Sequence, residues 1–117
     1  MFRKLDDLRA APPEHGKVRR FEGPHDLVVQ ATRGAIEDAG LKVKETTNDD
    51  DQTIFLAERE ITAMSWGEFV RVIVQRTHSG TTIVRVLTMR RLSFNLTAKG
   101  DFSKAIFAGI LARLTPG

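Results

Sequence analysis

Phe69-Val70-Arg71-Val72-Ile73-Val74-Gln75-Arg76, a reversal at Ser79-Gly80, and Thr82-Ile83-Val84-Arg85-Val86-Leu87-Thr88-Met89 decide how this chain folds. Both runs are dense in β-branched residues, whose stiff side chains pack well on a pleated surface. The Ser-Gly pair between them suits a tight turn. An antiparallel hairpin is predicted here, and the other elements arrange themselves around it.

Upstream, Leu41-Lys42-Val43-Lys44-Glu45 alternates apolar and charged residues as a half-buried strand does, and Thr53-Ile54-Phe55-Leu56-Ala57-Glu58-Arg59 follows after Asn48-Asp49-Asp50-Asp51. These read as a second hairpin with an acidic loop. The stretch Ala63-Met64-Ser65-Trp66-Gly67 between the hairpins has no periodicity. Further back, Leu27, Val28, Ala31, Ala35, Ile36 and Ala39 recur at helical spacing from Asp26 to Ala39, and Gly40 offers a left-handed cap. This inner face is built of small residues, with Gly34 at its edge, so the helix can lie close against a sheet. Lys17-Val18-Arg19-Arg20-Phe21, closed by Gly23-Pro24, is a first short strand.

At the other end, Asp101 to Leu114 is predicted helical, with Asp101 placed to accept free backbone N–H groups. Phe102, Ile106, Phe107, Ile110, Leu111 and Leu114 cover more than half its circumference, a wider apolar face than a surface helix of a small monomer needs. The helix therefore sits deep in the core or turns part of that face to another chain.

The expected fold class is α+β. Its order is β-α-β-β-β-β-α, with about five strands in an antiparallel meander and two helices packed on one face. The other face is left for water, a ligand or a partner. A chain of 117 residues, 41% hydrophobic, has room for one core. Residues 1–16, interrupted by Pro12-Pro13 and Gly16, read as a flexible or amphipathic arm, and 17–117 as a single domain.

The chemistry-bearing residues narrow the function. The formal net charge is +3 and the isoelectric point about 9.7, so the surface favours contact with anions. There is no cysteine, which excludes disulfides, thiolate metal sites and cysteine nucleophiles. His15, His25 and His78 are not at ligand spacing, and Asp49-Asp50-Asp51 lacks the spaced ligands, glycine and closing glutamate of a calcium loop. The chain also lacks tyrosine, a Gly-x-Ser-x-Gly elbow and a phosphate-binding glycine motif, while Glu58, Glu60 and Glu68 have no evident catalytic partner. A non-enzymatic domain without metal or cofactor is expected. No apolar run is long enough for a secretion signal or a membrane span, so the expected address is the cytoplasm, or the periplasm if an export signal has been removed.

From Lys17 to Leu114, and in the helix-end phrase Ala39-Gly40-Leu41-Lys42-Val43, the chain resembles a family of short bacterial envelope lipoprotein domains of unknown function. It is also similar to the sheet-and-helix modules of outer-membrane assembly lipoproteins. It departs from them in having no cysteine to carry a lipid. The resemblance implies a non-enzymatic domain used for protein contact.

Three functions follow as expectations. The first is a protein-interaction module, self-associating as an isologous dimer through Phe107, Leu111 and Leu114 or through the surface around Trp66. The second is nucleic-acid binding on a basic sheet face carrying Arg71, Arg76, Arg85, Arg90 and Arg91, with Phe69, Phe94 and Trp66 available for stacking. The third is binding of a small apolar ligand between sheet and helices, where Ala31, Gly34, Ala35 and Ala39 leave room.

Overall fold

A computed structural model of the chain describes residues 9–12, 16–59, 68–90 and 102–115. The long hairpin forms as expected: β4 (Glu68–Arg76) pairs antiparallel with β5 (Thr81–Arg90), in register from Glu68 opposite Arg90 to Arg76 opposite Thr82. On its other side β4 pairs with β3 (Gln52–Arg59), and β3 with β2 (Lys42–Asn48), which bulges between Val43 and Glu45. The first strand, β1 (Lys17–Glu22), lies antiparallel against β5. The sheet order is β1-β5-β4-β3-β2. Both edges are therefore strands from the N-terminal half, joined by α1 (His25–Asp38), which carries the chain across the sheet.

Local sequence explains where α1 begins and ends. Pro24, with its ring-fixed φ of −65°, precedes the helix, and its carbonyl accepts the Val28 N–H at 3.1 Å. At the other end Gly40 takes φ +87°, its N–H donates to Glu37 and the Leu41 N–H donates to Ile36. That reciprocal closure needs a residue tolerant of positive φ, and it plants buried Leu41 against the helix end. Helix α2 (Ser103–Leu114) starts after Phe102, whose N–H donates to the Thr88 hydroxyl at 3.2 Å. Asp101, expected to cap it, lies outside the described residues.

One core lies between the sheet and both helices. Phe21, Phe55, Val70, Val72, Val74, Val84 and Val86 from the strands meet Val28, Ala35, Ile36, Ile106, Phe107 and Ile110 from the helices. The small residues of α1 act differently from the expectation. They seat α2 as well as approaching the sheet: a Cβ built on Gly109 would stand 2.9 Å from the Ala35 Cβ, and one on Gly34 would stand 2.5 Å from the Arg113 guanidinium, which pairs with Asp38. The room that Gly34 and Ala35 leave is therefore filled by the second helix.

The far face of the sheet is also covered over its centre. Every residue of β4 from Glu68 to Val74 is buried, and Leu56, Phe69, Arg71 and Ile73 lie on the side away from the helices. The two-sided burial is why β4 reads as a nearly continuous apolar run. Part of the cover comes from the N-terminal arm, whose residues Arg9 to Pro12 lie on the sheet.

Candidate interaction surfaces

The last helix divides the expected contact residues. Phe107 is only 9% exposed and stacks at a tilt on Phe21, ring centroids 6.2 Å apart, so it belongs to the core and is not a contact anchor. Leu111 is 45% exposed, and Leu114 is half-buried against the core. On α1, Leu27 is 52% exposed, a contact that sequence reading assigned to the inner face. Leu27, Gln30, Ala31, Arg113 and Leu114 line an open cleft of about 390 Å³. The charges beside it come in pairs, Arg113 with Asp38 and Arg33 with Glu37 at 3.8 Å. Trp66 lies outside the described residues.

The arginines of the expected basic face are not on one face. Strand alternation puts Arg76 on the helix side with Val72 and Val74, and Arg71 and Arg85 on the far side. Arg76 is exposed, Arg85 is half-buried, and the Arg90 side chain and all of Arg91 lie outside the described residues. Arg71 is 3% exposed. Its Nη1 donates to the Ala11 carbonyl at 2.5 Å and its Nη2 to the Pro12 carbonyl at 2.9 Å. Burial lowers its proton affinity, but a guanidinium stays charged. Held in this way, it has no route to a phosphate in solution, and the five-arginine set is corrected accordingly.

The arm follows a row of the sheet. Glu45, Leu56, Arg71 and Leu87 stand opposite one another across β2, β3, β4 and β5. Gly16, just ahead of β1, adopts φ +104° and approaches so closely that a Cβ there would be 2.5 Å from the Val86 carbonyl oxygen. From that side the chain passes Arg71 at Pro12 and Ala11 and reaches Glu45, which accepts from Arg9. Residues 9–12 thus cross the strands, and Leu56, 3% exposed, lies between their two anchor points.

A second open cleft, of about 380 Å³, lies at the start of α1 and is lined in part by His25, Asp26, Arg76, His78 and Thr81. The His25 Nδ1 is buried and makes no hydrogen bond among the described residues. Its pKa is lowered by burial and further by Arg76, against the opposing pull of Asp26 and Asp51. The cleft mixes both signs of charge, and among the described residues no three potential ligands gather to hold a metal ion. No described helix is long and apolar enough to cross a membrane.

No protein-family model and no curated protein matches the chain. Of the surfaces above, the sequence signalled Leu111 and Leu114 through surplus helical hydrophobicity. It also held an overlooked signal for Arg71, a lone cation among Val70, Val72, Ile73 and Val74.

Proposed function

We propose that this domain is a non-enzymatic protein-interaction module that associates with a second copy of itself through the outer surface of its paired helices. The observation that carries the reading is the pair of exposed leucines on the two helices: Leu27, which lines the cleft together with Leu114, and Leu111, three residues before Leu114 on α2. Large aliphatic side chains half in water gain about 25 cal/mol for each Å² they bury in a partner. Charge favours a second copy as the occupant. The chain carries +3, yet around this cleft the cations are matched by Asp38 and Glu37, so two copies meet there without net repulsion. A two-fold axis would bring the same leucines from both protomers together. The resemblance to envelope lipoprotein domains implies the same class of function.

Light scattering behind a sizing column, at two salt concentrations, tests this. The expected result is a dimer insensitive to salt, converted to a folded monomer by Leu111→Glu or Leu27→Asp. A wild type that is monomeric at high concentration, or a Leu111→Glu variant that stays dimeric, would overturn it. The absorbance ratio of the protein before nucleic-acid removal, read in the same experiment, tests the nucleic-acid alternative. Withdrawal of Arg71 and separation of Arg76 from Arg85 rank that alternative second.

A further inference from the structure

We infer that the outer edge of β1 takes an extended acidic segment of another protein as a further strand of the sheet. This edge is separate from the helical cleft, and either assignment can fail without the other.

The two edges of the sheet differ. The β2 edge is blunted: it bulges between Val43 and Glu45, and the charged heads of Lys44 and Glu45 are held by Glu58 and Arg9. The β1 edge has no such break, and its register runs without a shift from Lys17 opposite Val86 to Glu22 opposite Thr81. Pairing with β5 uses the N–H and C=O groups of every second residue of β1, so the alternate set points outward. No strand lies beyond β1 among the described residues, and five of its six residues are exposed. The described part of the arm leaves this edge open. At Gly16 the chain turns inward over Val86 of β5, and residues 9–12 lie toward β4 and β2.

Charge names the occupant. Strand β1 carries Lys17, Arg19 and Arg20 against the one carboxylate of Glu22. Arg19 lies over the Phe21 ring at 5.5 Å, and neither it nor Arg20 pairs with a carboxylate among the described residues. Arg85 of β5 stands diagonally from Arg20 on the same face and adds a further cation. A second copy of β1 would bring the same cations and be repelled. A phosphate backbone offers acceptors to the outward N–H groups but no donor to the outward carbonyls, whereas a polypeptide strand satisfies both. Alternation then sets the sequence that fits. Val18, 49% exposed, and Arg20 face away from the helices, and Arg19 faces the helix side with Phe21. The incoming strand therefore places acidic residues opposite Arg19 and Arg20 and an apolar one opposite Val18.

The test is an NMR titration of the ¹⁵N-labelled full chain with a capped synthetic peptide, Thr-Thr-Glu-Glu-Val-Thr-Thr. Saturable shifts are expected on the β1 and β5 amides, with exchange protection gained at alternate β1 residues. Two isomers of the peptide, N-methylated on one or the other alternate set of amides, separate a strand from a loose ionic contact. The isomer methylated on the side facing β1 should bind at least about tenfold more weakly, and the other should bind as the parent does. Arg19→Ala with Arg20→Ala should weaken binding roughly two- to thirtyfold, as loss of two exposed ion pairs requires. Arg20→Ala alone should show a smaller loss and serves if the double variant does not fold. No saturable shift, shifts confined to β2 or the helices, equal binding by both methylated isomers, or equal binding by the arginine variants would each overturn the inference. So would an oligothymidylate that shifts β1 more strongly than the peptide, which would assign the cations to nucleic acid.

Discussion

Gly109→Ala and Gly34→Ala are the same substitution on the two facing helices, and the structure predicts opposite signs for them. Each removes a glycine from a helix interior and so gains up to about 1 kcal/mol of helix propensity. At Gly109 the new methyl would stand 2.9 Å from the Ala35 Cβ and 3.3 Å from its Cα. Carbon atoms prefer about 3.5–4.0 Å, and a short alanine on a helix cannot step aside. The helices must part, at a cost of about 1–3 kcal/mol for overpacking, leaving a net loss of about 1 kcal/mol. At Gly34 the obstacle is the end of the long Arg113 side chain, 2.5–2.8 Å away. It can swing outward, losing only the exposed pair with Asp38, about 0.2–1 kcal/mol, so the variant is neutral or slightly more stable than wild type. Urea and thermal unfolding followed by far-UV circular dichroism should place Gly109→Ala about 4 °C below wild type and Gly34→Ala at or above it. Adding Ala35→Gly to Gly109→Ala moves the methyl across the interface, and a double-mutant cycle should return a favourable coupling of about 1 kcal/mol. A Gly109→Ala protein as stable as wild type, or less harmed than Gly34→Ala, would refute the account of how α2 is seated.

Other outcomes follow from the same geometry. Phe107→Ala should lose about 3–5 kcal/mol in urea unfolding, while Leu111→Ala should stay within about 0.5 kcal/mol, because one side chain is core and the other surface. Arg71→Met should leave the unfolding free energy within about 1 kcal/mol of wild type, since an apolar isostere replaces a buried charge; a much larger loss would show that the sheet itself depends on the guanidinium. His25 binds its proton less readily folded than unfolded, so the stability it contributes is complete above the ordinary value of 6.5 and is lost as pH falls through the lower folded value. Urea midpoints across that window should decline with acidification, and His25→Gln should flatten the decline; an unchanged slope would remove His25 from the account.

Much of the fold could be read along the chain because the signals were local. The β4 and β5 runs, the Ser79-Gly80 reversal and the Gly40 cap each declare themselves within a few residues, and the elements observed fall within a few residues of those expected. The candidate surfaces were legible only in part. Helical spacing marked Leu111 as surplus but could not separate it from Phe107, since both lie in one broad apolar stripe and only contact with Phe21 distinguishes them. Leu27 matched the inner pattern of α1 yet stands in water. The arginines of β4 and β5 looked like one basic patch because the alternation assigning Arg76 and Arg85 to opposite faces matters only once the helices have chosen a side.

Composition and periodicity by themselves determined the class of the molecule: α+β, antiparallel, its strand and helix order, and no cysteine chemistry. These depend on backbone preference and on the period of burial, both carried by neighbours in the sequence. Tertiary structure alone decided that β1 closes the sheet beside β5, that glycine and alanine seat one helix on the other, and that Arg71 grips the carbonyls of Ala11 and Pro12 some sixty positions away. Contacts between residues so far apart in the chain leave no periodic trace, because which partner a side chain meets is settled only when the whole core closes.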